Sequence, residues 1–266
     1  MPNLLKTDLK RLIKDRMILI GFLVTCALSL FTVLMYFGLK ELLGEDGADM
    51  MGMSLTGRGT FLGSFSPSNN AGLMIPIFIS VALIKDFRYG TVRNKIIAGK
   101  SRLAIYISDY LSGVIFGLAF YIATTIISLF LGTLLLGYGT KFNLNELGLI
   151  ITTYGYGILN YLVFLSCAVF VAVITKSIGL SITISIVGSL LLSIVASINM
   201  LVEPHVNKIV MHILEINPVY GAQLISSNQL YHGTLYNNLI LLIPSVCFIA
   251  IFILGGIMLF RKQDLK

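Results

Sequence analysis

Apolar residues run along this chain in long blocks, and charged residues fall almost entirely between the blocks. Met17 to Leu39 contains no Asp, Glu, Lys or Arg. A helix needs roughly 20 apolar residues to cross about 30 Å of hydrocarbon. By that measure the pattern predicts six spans, over residues 17–39, 66–84, 110–137, 154–174, 178–202 and 237–260. In the second, Ala71–Ile84 is densely apolar, and the uncharged Ser66-Pro67-Ser68-Asn69-Asn70 lengthens it at a polar or irregular outer end. Backbone groups cannot stay unpaired in lipid, so each span is expected to be a helix.

The segments between the blocks have their own patterns. In residues 3–16, Leu5, Leu9, Leu12 and Arg16 recur at helical spacing with most basic residues off that line. This predicts an amphipathic helix at the membrane interface; the alternative is a simple extension of the first span. Residues 203–236 are too polar to face lipid throughout. Their apolar runs, Ile209–Leu214 and Tyr220–Ile225, fit two short amphipathic or re-entrant helices around Asn217-Pro218. Backbone that is irregular at membrane depth has to be buried in protein. The fold expected over residues 1–266 is one all-α polytopic membrane domain.

Composition supports this reading, and charge gives it a direction. Hydrophobic residues make up 56% of the 266 and charged residues only 12%, against about 25% charged in ordinary soluble domains. Fifteen of the 19 Lys and Arg fall on one side of the six-span arrangement: Lys6 to Arg16, the 85–102 loop, Lys176 and the C-terminal tail. The other side holds Lys40, Arg58, Lys141 and Lys208 with seven of the twelve acids. The positive-inside rule assigns the basic side, and with it both termini, to the cytoplasm. The formal charge of +7 is thereby a topology signal, and no nucleic-acid partner is expected. The first block is too long for a secretory signal and lacks a small-x-small cleavage site. Cys26, Cys167 and Cys247 are isolated and have neither metal-ligand nor disulfide spacing. Met50, Met51 and Met53, in the 40–70 segment, come with no His or Cys and are expected to cover apolar surface or touch lipid.

The 85–102 loop is the longest on the basic side. Asp86-Phe87-Arg88-Tyr89 extends the second helix and Gly90 breaks it. Thr91 is the expected N-cap of a short helix over Val92–Ala98 that carries Arg93 and Lys95. Gly99 ends that helix, and Ser101, followed by Arg102, caps the next. Such a helix between two glycine breaks can present side chains to a cytoplasmic partner; anionic lipid would attract the same charges. In the third span, Gly113 and Gly117 permit close helix packing. In the fifth, Ser181, Ser185, Ser189, Ser193 and Ser197 recur every fourth residue, which fits either a tight helix contact or a weakly polar pathway wall.

Several activities lack the residues they need. The chain has no phosphate loop ending in Gly-Lys-Ser/Thr, no His-Glu-x-x-His and no Gly-x-Ser-x-Gly. No ionisable residue lies near the centre of the clearest spans, which argues against proton coupling by buried carboxylates and against intramembrane proteolysis.

The run Asp86-Phe87-Arg88-Tyr89-Gly90-Thr91-Val92-Arg93-Asn94, the following Ala98-Gly99-Lys100-Ser101-Arg102 and the ending Phe260-Arg261-Lys262-Gln263-Asp264-Leu265 resemble the permease subunits of type-2 ABC exporters. Small members of that family are similar to bacteriocin or lantibiotic immunity exporters and small-peptide exporters. The resemblance implies six helices after an amphipathic connecting helix, in a bacterial cell membrane. It implies a coupling loop at 85–102 that docks a separate ABC ATPase, a second permease chain, identical or different, and an amphipathic or peptide substrate. The chain itself would then be no enzyme and bind no cofactor or metal, with ATP and Mg held by the partner. A non-transporting sensor or scaffold that uses the same loop is the competing expectation, and a membrane enzyme is a third.

Overall fold

The computed structural model describes residues 2–50, 55–66, 70–141, 143–202, 216–226 and 235–263, and every regular element among them is an α-helix. In chain order these are α1 (Pro2–Lys14), α2 (Arg16–Met50), α3 (Gly57–Gly63), α4 (Asn70–Arg88), α5 (Thr91–Ile97), α6 (Arg102–Leu136), α7 (Leu144–Thr175), α8 (Ile178–Val202), α9 (Pro218–Ser226) and α10 (Leu235–Lys262). Segments of five are long and apolar enough to cross a membrane: Arg16–Gly44, Arg102–Leu136, Leu144–Thr175, Ile178–Ile198 and Leu242–Lys262. The chain is a polytopic α-helical membrane protein.

The helices differ in what they face. In the membrane-length part of α7, 56% of residues are buried, against 6% in α8 and 11% in α10. Leu180, Val187, Leu191 and Ile194 of α8 are exposed, as expected where lipid supplies the apolar surroundings. Helix α4 is the opposite case. Ile75, Ile77, Ile79 and every residue from Ser80 to Ile84 are buried, and α4 packs against α2, α6, α7 and α8. It is the central rod of the bundle.

Helix α1 is a separate element. Its chain breaks at Asp15, whose carboxylate accepts the Met17 amide at 2.8 Å and so caps α2. Helix α1 packs across the start of α6, with Asp8 and Leu12, one turn apart, facing inward and Ile13 outward. At the same end, Arg102 donates to the carbonyls of Arg261 and Gln263, each at 2.7 Å, and Gln263 donates to the Val173 carbonyl at 3.0 Å. We call this end, where α1, the α4–α6 connection and the last turns of α7 and α10 meet, the base.

At the opposite end two short helices fold into the bundle. In α3, capped by Thr56 through a 3.1 Å bond from the Gly59 amide, Gly57, Thr60, Phe61 and Leu62 are buried. A Cβ on Gly57 would lie 2.6 Å from the Thr133 backbone, so only glycine lets α3 approach α6 this closely. Phe61 and Phe65 join Tyr154 and the stacked Tyr121–Tyr161 pair, whose ring centroids are 4.1 Å apart. Helix α9 is the short helix expected after Asn217. Asn217 donates to the Leu192 carbonyl at 2.7 Å, and Asn160 donates to that of Pro218 at 2.9 Å. The short helix expected within 203–215 and His205, His212 and His232, like Met51 and Met53, lie outside the described residues.

Candidate functional site

The base contains a cluster of charges that reaches across four helices. Lys95 of α5 stands between two carboxylates, with Nζ 2.8 Å from Oδ1 of Asp8 on α1 and 2.7 Å from Oδ1 of Asp109 on α6. Their side chains are 9%, 1% and 9% exposed respectively, so the contact is almost dry. Ser108 Oγ donates to the other Asp8 oxygen at 2.6 Å. Arg11, one turn on from Asp8, pairs with Asp86 at the end of α4. A second tie, Lys85 Nζ to Asp15 Oδ1 at 2.9 Å, fastens α4 to the α1–α2 corner.

Three buried carboxylates here face two cations, and the imbalance has an electrostatic consequence. Burial disfavours charge on Asp86 more than Arg11 favours it, and Asp109 adds repulsion, so the pKa of Asp86 is pushed up to about 7. Burial also works against the charge on Lys95, but Asp109 and Asp8 outweigh it and hold the ammonium above its ordinary pKa. At Asp15 burial is outweighed by Lys85 and the Met17 amide, and the carboxyl stays below its ordinary value.

The 85–102 loop thus has two faces. Gly90, at φ 68°, supplies the left-handed turn, and Thr91 is the first helical residue of α5 and not its cap. The helix ends at Ile97, with Gly99 also left-handed at φ 77°. Ser101 does cap α6, accepting the Ala104 amide at 3.2 Å. Asp86, Val92 and Lys95 turn into the bundle. Phe87 packs edge-on to Phe260, centroids 6.1 Å apart. Arg88, Tyr89, Arg93, Asn94, Ile97 and Lys100 are exposed, and Arg102 is spent on the end of α10. Of the residues named from the sequence, Arg88, Tyr89 and Arg93 therefore form an outer surface, and Asp86 and Lys95 an inner lock.

The packing residues named from the sequence lie elsewhere. A Cβ on Gly113 would lie 3.1 Å from Ile79, and one on Gly117 2.6 Å from Leu165, so this face of α6 carries α4 and α7. Ser181 is fully buried. Ser185 and Ser189, with Gly188, line a cavity of about 140 Å³ against Pro76, Phe164 and Cys167. Ser189 and Ser193 bond the carbonyls of Ile186 and Ser189 within their own helix, both at 2.9 Å.

Sequence reasoning missed Asp8, Arg11, Asp15 and Asp109 as a group. Each looks like an ordinary interfacial charge until α1 is laid on α6. The available signal was Asp8 among basic neighbours on the helix face that also carries Leu12. Among the described residues no group of three or more His, Cys, Asp and Glu side chains is placed to hold a metal ion.

Residues 50–266 match the family described as protein of unknown function (DUF2705), and the chain belongs to that family. The matched segment holds Asp86, Lys95 and Asp109; Asp8, Arg11 and Asp15 precede it. No curated protein matches the chain.

Proposed function

We propose that this member of the family is the membrane subunit of an ATP-driven exporter in a bacterial cell membrane, working with a separate ABC ATPase that binds ATP and Mg. One observation carries the reading. The 85–102 loop is braced from inside by Lys95, Asp8 and Asp109 and presents Tyr89, Arg93 and Ile97 outward. A force on that outer face would reach α1, α4 and α6 together, through rigid helices rather than a slack loop. In this reading α4 is a sixth span, shielded from lipid by its neighbours, and the base with both chain termini lies in the cytoplasm, as the basic residues favour. Two such chains, identical or different, would line the path of an amphipathic or peptide substrate, and this chain would itself be no enzyme.

The variants that test coupling follow from the loop geometry. Gly90→Leu forces a branched side chain onto a left-handed residue. Asn94→Pro removes the amide that bonds the Gly90 carbonyl at 3.0 Å. Proline at position 91 is a poorer test, because the first helical position tolerates it. Reconstituted with its ATPase, either variant should hydrolyse ATP without exporting substrate. Normal export by both would refute the proposal.

A further inference from the structure

A pocket opens at the base between the end of α4 and the tight turn that joins α7 to α8, with a volume of about 510 Å³. Its charged wall is Arg88 and Lys176; its polar floor is Ser177 and Gly179 at the start of α8; Ile84 and Phe87 are its apolar side. Among the described residues no carboxylate lines it, and neither Arg88 nor Lys176 takes part in an ion pair. This contrasts with the nearby cluster, where every cation is matched by acid. Lys176 lies over the Phe87 ring, Nζ 6.0 Å from its centroid. It holds a left-handed backbone, φ 48°, unusual for a lysine.

The start of α8 adds to this positive field. The Ser181 amide donates to the Ser177 carbonyl at 3.0 Å and is the first intrahelical donor, so the amides of Ile178, Gly179 and Leu180 before it have no intrahelical acceptor. A Cβ on Gly179 would meet nothing within 4 Å, which leaves the backbone open to approach. From the same turn, Leu180, Val187 and Leu191 run along one exposed stripe of α8.

We propose that this pocket binds the phosphate of an anionic phospholipid, with Arg88, Lys176 and the first amides of α8 around the headgroup and the acyl chains along the α8 stripe. Two unmatched cations select an anion, and the adjoining apolar stripe selects one that carries a tail. The assignment is independent of the export reading, since it needs only the membrane and the base.

The test uses the full chain in nanodiscs of phosphatidylcholine alone or with one-quarter phosphatidylglycerol. Hydrogen exchange of the amides of residues 178–180 in the wild-type chain should slow in the phosphatidylglycerol discs, and inorganic phosphate added to phosphatidylcholine discs should not reproduce it. Equal exchange in both discs would overturn the proposal. Equal protection by inorganic phosphate would reassign the pocket to a free anion and overturn the lipid assignment. Bound phosphatidylglycerol counted by native mass spectrometry should fall roughly fivefold for each charge removed in Arg88→Gln and Lys176→Asn, asparagine being tolerant of the left-handed backbone. Arg93→Gln and Lys100→Gln, equal charge changes outside the pocket, should leave it unchanged. An equal fall in all four would mean diffuse surface attraction and no site.

Discussion

The two ends of the bundle are held together by different physics. At the base, α1, α4, α5 and α6 are joined by ion pairs among Asp8, Arg11, Asp86, Lys95 and Asp109, largely out of water. At the opposite end, α3 is joined to the long helices by close backbone approach, hydroxyls and aromatic rings, and α9 by the side-chain amides of Asn217 and Asn160. Gly57 donates to the Gly137 carbonyl at 2.7 Å and Thr60 Oγ1 to that of Ser128 at 3.1 Å; the Arg58–Glu146 pair, at 3.2 Å, is partly exposed. A glycine contact has one geometry and no alternative partner. Three carboxylates share two cations at the base, so under the export proposal this is the end that passes motion on and the far end the one that stays fixed.

The largest effect should come from the lock itself. Lys95→Met leaves Asp8 and Asp109 buried without their shared cation, and breaking a buried pair this way costs about 3–5 kcal/mol. Unfolding in mild detergent measures it, and adding Asp109→Leu should recover part of the loss. A neutral Lys95→Met would mean that the base is not held by charge. At the fixed end, Gly57→Ala pushes a methyl into the Thr133 backbone and should cost about 1–3 kcal/mol in the same assay. If the variant is as stable as wild type, the α3–α6 contact is loose and the contrast between the ends fails.

The charged base should also respond to pH. Burial raises the pKa of Asp86 in the folded chain from the ordinary 3.8 to about 7. The contribution of this group is therefore complete below about pH 4 and lost as pH rises through 7. For one proton the slope is at most about 1.4 kcal/mol per pH unit. Asp86→Asn should flatten stability over that window; an unchanged slope would place the proton elsewhere. The smallest effect is expected on the lipid face, where Leu191→Ala should stay within about 0.5 kcal/mol. A larger loss would show that α8 is covered by protein.

What the sequence reveals depends on how local each signal is. The long helices are legible because a charge-free block needs no partner to be recognised, and Gly90, Gly99 and Ser101 mark breaks and caps through their own backbone needs. The burial of α4 is less legible, since an apolar run reads the same against lipid as against protein. Helix α3 is hidden for a related reason: Gly57-Arg58-Gly59-Thr60 looks like a polar loop until Gly57 is seen against Thr133 of α6. The lock is the least local feature of all. Arg11 and Asp86 are 75 positions apart, Asp8 and Ser108 100, and no spacing rule connects them. This is why Asp86 and Lys95, counted from the sequence among residues offered to a partner, turn inward, while Arg88, Tyr89 and Arg93 remain outside.

Export as proposed requires the outer face of α5 to engage an ATPase. The direct measurement is capture of the full chain in mild detergent from its native membrane, with ATP hydrolysis assayed in the eluate and the retained protein identified by mass spectrometry. The wild-type chain should retain an ABC ATPase. Arg93→Glu combined with Ile97→Asp, both on exposed side chains and outside the lock, should lose it without loss of thermal stability. Wild-type chain eluting with no ATPase, or the double variant retaining it in full, would contradict the export proposal.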